Sequence, residues 1–382
     1  MVTKKSVISL TRKLIRIDSQ NPGANEAAIA GFVKRYLAQC GLKARIYEFS
    51  KGRANIVALL KGKKGKHSLL VTPHLDTVPA GKNWKYAPFA GSLSRGRLYG
   101  LGATDCKGNL ACGLEAIRSM VEEGVRLDYD IVFAATADEE SGSALGLEPL
   151  LQRRLLRPDA ALVLDADDFD VVVAQKGLMH LKLKIFGRKA HGAYPWLGRN
   201  AIDEAVSALQ GLKAGLFARG CNKYHKYLRP PTLNIGTISG GDKVNVVADW
   251  CEFEIDCRFL PGTPAAFLLA RIKSIVRKHA RKFSVEIEGV QQPFSIDRGH
   301  PLVQALARAI RRRRPKALIT GSEGATTISF FQQRGIPAVA TGFGCGGCAH
   351  IADEFVATED LYQGTLVLEE FFKRYNPFGG IL

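Results

Sequence analysis

The spacing of apolar residues predicts that the chain opens with alternating helices and strands. Apolar side chains recur every three to four residues over 6–17, 25–40 and 107–124, which is the period of a helix. Short apolar runs predict strands at 42–49, 55–60, 68–72, 130–136 and 159–165. Helices that alternate with buried strands indicate an α/β fold, in which helices cover both faces of one sheet.

The pattern changes near Gly177, where strand-like segments begin to alternate apolar and polar residues. The predicted elements are strand 178–186, helix 200–212, strands 232–238 and 246–258, helix 264–279 and strand 283–290. This βαββαβ order is that of a ferredoxin-like unit. The first pattern then resumes with helices at 301–313 and 326–333, a strand at 338–341 and a helix at 359–375. We therefore predict a first domain in two parts, 1–177 and 292–382, with a second domain, 178–291, inserted between them.

The bulk composition is that of a globular protein with room for two hydrophobic cores. The chain has 382 residues, of which 46% are apolar and 24% charged. Its apolar runs are too short to span a bilayer, and basic residues throughout the first helix leave no signal-peptide core. The prediction is a cytoplasmic protein without a membrane partner. The eight cysteines are scattered, apart from Cys345 and Cys348, and do not form a disulfide framework.

The formal net charge of +18 is the most unusual bulk property. Such a charge can attract nucleic acid, an anionic membrane or acidic substrates. The basic residues are nevertheless dispersed, and two clusters, 61–66 and 311–314, read as a turn between strands and the end of an amphipathic helix. No nucleic-acid-binding motif accompanies them, so we predict a solvated basic surface and no nucleic-acid partner.

Residues that can bind metal follow the predicted strands of the first domain. They are His74, Asp76, Asp105, Glu139, Glu140, Asp165 and His350. Strand ends meet at one edge of an α/β sheet, and so many carboxylates cannot gather there without cations. Imidazole combined with carboxylate suits Zn, Co or Mn, and a shared carboxylate can hold two ions about 3.5–4 Å apart. The set predicts a two-metal hydrolase with two divalent ions, Zn first and Co or Mn as alternatives.

Six segments in sequence order carry a resemblance to one enzyme family. They read HLDTVPAG, GATDCKG, ADEESGS, AHGAYPWLGRNAI, NVVADWCEFEIDCRFLPG and AHIADEF. Together they resemble the metal-dependent amidohydrolases that include acetylornithine deacetylase, succinyl-diaminopimelate desuccinylase, aminoacylase and glutamate carboxypeptidase. The resemblance implies a zinc-aminopeptidase-like α/β domain with an inserted ferredoxin-like lid that commonly forms a homodimer.

The resemblance also implies a role for each member of the set. Asp105 would be the carboxylate shared by both ions, and Asp76 would orient His74. Glu139 would be the general base that takes a proton from the attacking water and returns it to the leaving nitrogen. Asp165 stands where the deacylases of the family more usually have Glu, but Asp also occurs in the family at this position and is still a ligand. The remaining ligands would be His74 and Asp165 on one ion, and Glu140 and His350 on the other.

The lid would supply further groups to the site. By the same resemblance, His191 reaches the active site of a partner subunit and steadies the oxyanion. Arg258, with Asn245, would hold the carboxylate of the substrate, for which a guanidinium fork is suited. Cys345 and Cys348 could suggest a zinc knuckle, but no second ligand pair has matching spacing, so we interpret that loop as the carrier of His350. Glu323 lies where relatives have a substrate-contacting loop, and it could meet a substrate amine.

These features predict a dinuclear hydrolase that removes the acyl group from an N-acyl amino acid, acting on linear amides. The first candidate substrates are of the acetylornithine or succinyl-diaminopimelate type. The alternative is a di- or tripeptidase or a carboxypeptidase with the same site. A rival from another class is a basic binding protein that has kept the scaffold without the chemistry.

Overall fold

The structure is a computed structural model, and it describes residues 2–23, 26–218, 220–221 and 223–377. The described helices are α1 (Lys4–Ile15), α2 (Glu26–Gln39), α3 (Lys107–Glu122), α4 (Leu147–Gln152), α5 (Ala201–Gly215), α6 (Ala265–Arg277), α7 (Pro301–Arg311), α8 (Ser329–Gln332) and α9 (Thr358–Arg374). The predicted helix 25–40 corresponds to α2, and its first residue, Asn25, lies outside the described residues.

The strands lie between these helices along the chain, singly or in groups of two to five. They are β1 (Ala44–Glu48), β2 (Ala54–Leu60), β3 (Ser68–Thr72), β4 (Ser92–Ser94), β5 (Arg97–Tyr99), β6 (Asp130–Ala135), β7 (Ala160–Leu164), β8 (Val171–Gln175), β9 (Gly177–Phe186), β10 (Thr232–Gly240), β11 (Trp250–Phe259), β12 (Phe283–Gln291), β13 (Phe294–Ser295), β14 (Ile319–Ser322), β15 (Ala338–Thr341) and β16 (Phe355–Ala357).

The chain divides into two compact units. The first is Met1–Val173 with Ile296–Thr320 and Thr326–Leu382, and the second is Ala174–Ser295 with Gly321–Ala325. The predicted domains, 1–177 with 292–382 and the inserted 178–291, have limits a few residues from these borders. The division into domains at those limits remains a prediction. Segment 321–325 groups with the second unit, although its sequence position is in the returning part of the first.

The first unit contains a mixed sheet in the order β1-β2-β6-β3-β7-β15-β8. The four inner neighbours β6, β3, β7 and β15 run parallel, whereas β1, β2 and β8 run antiparallel to theirs. Every residue of β7 and β15 is buried. Strands buried on both faces require helices on both sides, so the α/β prediction is confirmed.

Glycine lets α3 lie close to this sheet. A Cβ atom at Gly113 would sit 3.1 Å from Leu164 Cδ1 and 3.1 Å from Phe133 Cε2. A larger residue there would push α3 away from β6 and β7. Since α3 begins directly after Asp105 and Cys106, the packing of this helix against the sheet also fixes the position of Asp105.

A small sheet, β16-β5-β4, was not predicted. Its strands have three residues each, too few for an alternating pattern to be visible in the sequence. Val356 pairs with Leu98, so the segment just after His350 is tied to the segment just before Asp105. This pairing brings together two parts of the chain that both carry predicted metal ligands.

The second unit is an antiparallel sheet, β10-β11-β9-β12, with α5 and α6. Buried and half-buried residues alternate along β9 and β11, and the buried set packs with both helices around Phe253, Leu183 and Leu268. The element order β9-α5-β10-β11-α6-β12 is the predicted βαββαβ order. The ferredoxin-like prediction is confirmed. The strand predicted at 246–258 begins at Trp250, because the preceding residues pair with a loop: Val246 bridges His191.

Candidate metal centre and active site

The candidate metal ligands of the first unit lie where its inner strands end. His74 follows β3, Asp165 follows β7 directly, and Glu139 and Glu140 follow β6 in a short 3-10 turn. The parallel bridge between His74 and Thr136 continues the pairing of β3 and β6 beyond both strands. Because these strands are parallel, their carboxyl ends share one edge of the sheet.

One group of side chains surrounds His74. Its Nε2 atom lies 2.8 Å from Asp105 Oδ1 and 3.8 Å from Asp165 Oδ1. Potential ligand atoms of His74, Glu139 and Asp165 lie within 4.8 Å of one another. The structure thus gathers one imidazole and three carboxylates around the end of β3.

A second group surrounds His350. Its Nε2 atom lies 3.1 Å from Asp105 Oδ2 and 3.3 Å from Glu140 Oε2. Asp105 therefore presents one carboxylate oxygen to His74 and the other to His350. This is the arrangement that a carboxylate shared between two ions requires.

The contacts of Asp76 differ in part from the predicted ones. His74 Nδ1 lies 3.0 Å from the main-chain oxygen of Asp76 and 3.5 Å from its carboxylate Oδ1, so the backbone provides the closer contact. The Asp76 carboxylate accepts hydrogen bonds from the backbone N–H groups of Glu139 and Glu140, each at 3.1 Å. Asp76 thus joins His74 to the turn that carries Glu139, which a sequence pattern alone could not indicate.

A buried ionic network supports the same turn from behind. Asp138 has the left-handed φ of 64° and accepts a 2.7 Å hydrogen bond from Arg53 Nη2. Arg53 also donates to Glu26, and Asn21 donates to Asp76 at 2.9 Å. Buried charges of this kind are tolerated only when they are paired and hydrogen-bonded. The network fixes the backbone from which Glu139 and Glu140 project.

Glu354 holds the backbone of the loop that carries Asp105. Its carboxylate accepts hydrogen bonds from three backbone N–H groups, those of Gly102 at 2.8 Å, Thr104 at 2.7 Å and Asp105 at 3.0 Å. Burial raises the pKa of Glu354 to about 7, although these hydrogen bonds act to lower it. The loop that presents Asp105 is therefore held by a residue four positions after His350.

Sequence reasoning missed these supporting residues: Asn21, Glu26, Arg53, Asp138 and Glu354. Four of them are charged side chains that are buried or nearly so, which is unusual and marks them once the structure is known. In the sequence, the available signals are the acidic Asp138 beside Glu139 and Glu140, and Glu354 within AHIADEF.

The ionisation of the cluster reflects a shortage of positive charge. Burial, followed by the nearby charge of Asp165, raises the pKa of Glu139 well above its usual value. Burial, with Asp105 and Glu140, likewise raises the pKa of Asp165 to about 7 against the opposing effect of His74. Hydrogen bonds to Asp105 and Glu140 raise the pKa of His350 to about 10. Without cations Glu139 and Asp165 therefore favour protonation. Hydrogen bonds to His350 and His74 instead hold the pKa of Asp105 below its usual value, against the effect of burial.

The donor set fits two divalent ions of the zinc type. Glu140 Oε1 is buried and has no hydrogen-bond partner among the described residues, so a cation there would satisfy it. Nitrogen and oxygen donors in this mixture suit Zn, Co or Mn better than Mg or Ca. Cys106 also lies near His74 and Asp105. Burial raises the pKa of its thiol to about 12, so the thiol is protonated in the absence of a metal ion.

The second unit brings His191 and Asn245 together. Gly192 N–H donates to the main-chain oxygen of Asn245 at 2.8 Å, and His191 pairs with Val246. A Cβ atom at Gly192 would lie 3.0 Å from the Asn245 backbone, so glycine permits this close approach. Both residues are exposed.

Arg258 lies at the opposite end of the same sheet. In β11, Trp250 pairs with Phe186 near the loop of His191, whereas Arg258 pairs with Leu178. At about 3.3 Å per residue, these two pairs are roughly 26 Å apart. Arg258 is also bound by Asp256, with Nε–Oδ1 at 2.9 Å and Nη2–Oδ2 at 3.1 Å. Within one chain, the structure does not bring Arg258 and Asn245 together.

Glu323 is paired within the second unit. Its Oε2 lies 2.6 Å from Nζ of the buried Lys176, and its Oε1 accepts from Arg229 N–H at 2.8 Å. A contact between Glu323 and a substrate amine remains a prediction, and it would compete with Lys176.

No helix in the described part of the chain combines the length and apolar character needed to cross a bilayer.

Comparison with known proteins identifies the family of this chain. It is 29% identical over 385 residues to an acetylornithine deacetylase of Edwardsiella ictaluri, covering 97% of this chain and 98% of the relative. A tripeptidase of Staphylococcus aureus superposes with a TM-score of 0.80 at 25% identity, covering 98% of each chain. The Bacillus subtilis protein YXEP, described as a dinuclear metal-binding peptidase, superposes with a TM-score of 0.73 at 15% identity, covering 97% of each. Residues 70–374 match the model of the peptidase family M20/M25/M40, and the chain belongs to that family of metal-dependent hydrolases.

Proposed function

We propose that this protein is a dinuclear metal hydrolase that removes the acyl group from N-acyl amino acids. The observation that carries the proposal is the position of Asp105, whose two carboxylate oxygens face His74 and His350 at 2.8 and 3.1 Å. A single carboxylate placed between two imidazoles, with Glu139 beside it, has the components of a two-metal hydrolase. The rival, a binding protein without chemistry, has no need to keep this arrangement.

Two ions would be held by residues of the first unit. His74 and Asp165 would hold one, Glu140 and His350 the other, and Asp105 would join both. Dinuclear metal binding is described for the YXEP relative, which supports the same stoichiometry here. Zn is our first choice, with Co or Mn as alternatives, because imidazole and carboxylate donors are mixed.

Bound at this site, the ions would lower the pKa of water and polarise the amide carbonyl. Glu139 would take the proton from the attacking water and deliver it to the leaving nitrogen. Its backbone N–H is held by the Asp76 carboxylate, so its position is set by a buried group. The enclosure that raises the pKa of Glu139 would also favour its receiving a proton during the reaction.

The substrate class is inferred from the relatives and from charge. The acetylornithine deacetylase relatives span nearly the whole chain, which supports an N-acyl amino acid of that kind or of the succinyl-diaminopimelate kind. The fold likeness to a tripeptidase supports the alternative, a di- or tripeptidase or a carboxypeptidase. The net charge of +18 would attract the carboxylates that both classes of substrate carry. A cytoplasmic location remains a prediction.

A substrate panel separates these activities. The protein loaded with Zn²⁺ or Co²⁺ is expected to hydrolyse N-acetyl- or N-succinyl-diamino acids with a higher kcat/KM than di- and tripeptides. A preference for peptides would instead favour the peptidase. Tight, salt-sensitive retention on nucleic acid together with no metal uptake would support the basic binding protein.

We also propose that the active protein is a homodimer formed through the second unit. The His191 and Asn245 end of the β11 sheet is remote from the Arg258 end, so one chain cannot present both ends to the same substrate. In a twofold-symmetric pair, His191 and Asn245 of each chain would serve the active site of the other. The stabilisation of an oxyanion by His191 would then cross the interface.

Subunit mixing tests this arrangement. His191→Ala and Glu139→Gln proteins are each expected to be nearly inactive as pure dimers. Exchange of subunits in an equal mixture should restore about a quarter of wild-type activity, since half the dimers would contain one complete site. The matched control mixes His191→Ala with wild-type chains of known concentration. A mixture that remains inactive after exchange, verified by tagged subunits, would contradict the shared site.

A further inference from the structure

Cys345 and Cys348 close a tight turn on the segment that carries His350. Cys348 N–H donates to the main-chain oxygen of Cys345 at 3.0 Å, which is the hydrogen bond of a β-turn. Gly347 has a φ of +76°, a conformation that glycine adopts without strain. The ends of such a turn have Cα atoms less than about 7 Å apart, close to the range of about 4.4–6.8 Å found in disulfides.

The two thiols are free and differ in exposure. Cys345 is half-buried, whereas Cys348 is 8% exposed. A reagent in solution would therefore react first at Cys345, and Cys348 is positioned to react with the product.

Hydrogen bonds hold the backbone of the first two residues of this turn. Cys345 N–H donates to Thr104 Oγ1 and Gly346 N–H to Asp168 Oδ1, each at 3.1 Å. On the far side, the next strong anchor is the Asp353–Glu354 pair. His350 lies between, half exposed at 51% and with a left-handed φ of 62°. Strain introduced at the turn would therefore be taken up near His350.

We propose that Cys345 and Cys348 form a reversible thiol–disulfide site, and that closing the disulfide weakens metal binding by Asp105, Glu140 and His350. Joining the sulfur atoms at about 2.05 Å would tighten the turn two residues before His350. Metal sites tolerate displacements of only about 0.5 Å in their ligands. The second part of the proposal rests on the proposed role of His350 as a ligand, and the first part does not.

The oxidant would be a small aliphatic disulfide such as glutathione disulfide. The Cys345 sulfur attacks one sulfur of the reagent, which forms a mixed disulfide and releases one thiol carrying the proton from Cys345. The Cys348 sulfur then attacks the Cys345 sulfur and releases the second thiol with its proton. The protein loses two protons and two electrons, and the reagent gains them.

Peptide mapping and metal titration of the full chain test the proposal. After treatment with glutathione disulfide and alkylation, the peptide with residues 345–348 should lose two hydrogens and resist alkylation, and dithiothreitol should reverse both effects. Titration with Zn²⁺ alone should show about 10-fold weaker binding at one of the two sites. Cys348→Ser should retain the glutathione adduct on Cys345, and Cys345→Ser should remain unmodified at Cys348.

Cys40→Ser is the matched control, because Cys40 is half-buried and lies on a different segment. It should behave like wild type. The proposal is overturned if residues 345 and 348 both remain open to alkylation after treatment with glutathione disulfide, or if the disulfide forms without a change in Zn²⁺ affinity. It is also overturned if the same treatment lowers the Zn²⁺ affinity of Cys345→Ser as much as that of the wild type. A failure of the proposed function is distinguishable, because the reduced protein would then bind no metal before any oxidant is added.

Discussion

Glu139→Gln is expected to lower kcat for amide hydrolysis by about 10²–10⁴-fold while the protein keeps its fold and its metal. Glutamine has nearly the same shape as glutamate but cannot accept the proton from the attacking water. The backbone of Glu139 is held by Asp76, so the side chain should remain in place. The measurement is kcat on the best N-acyl amino acid, together with metal content per chain.

Glu148→Gln is the matched control, because Glu148 lies in α4 and contacts Gln152 rather than the cluster. Its kcat should equal that of the wild type. Turnover by Glu139→Gln within a few-fold of wild type, at full metal content, would refute the assignment of Glu139 as the base.

Asp105→Asn is expected to abolish activity by removing both ions. An amide at this position supplies only one oxygen acceptor, and its NH₂ group would face His74 or His350. The loss of metal affinity should exceed the roughly 10- to 100-fold that loss of an outer hydrogen bond to a ligand causes. Metal content after dialysis against Zn²⁺ buffers, and kcat/KM in the same buffers, measure the effect.

Asp128→Asn provides the control, because Asp128 is half exposed, at 51%, and lies near Lys64. It should bind two ions with unchanged affinity. Retention of two tightly bound ions by Asp105→Asn would contradict the shared-carboxylate geometry on which the proposed function depends.

The sequence was sufficient to predict the alternation of strands and helices and the ferredoxin-like insertion. It was also sufficient to predict which residues follow the buried strands, because an apolar run that ends in His or Asp is visible locally. His74, Asp165 and the Glu139–Glu140 pair belong to this class. Their convergence follows from the parallel order of β6, β3 and β7.

The supporting contacts could not be predicted, since they join residues that are remote in sequence. Arg53 reaches Asp138 across 85 positions, and Glu354 reaches Asp105 across 249. A local pattern carries no information about such pairs. The separation of Arg258 from Asn245 is a further example, because a motif match assigns roles without stating which end of a strand each residue occupies.

The bond between Glu354 and the loop of Asp105 has a consequence for how this chain can vary. His350 and Glu354 lie in one short stretch, so the stretch that places an imidazole beside Asp105 also holds the backbone of Asp105. The residue at position 354 should therefore covary among homologues with the segment 102–105. A designer who transplants the centre into another scaffold must carry Glu354 along with Asp105.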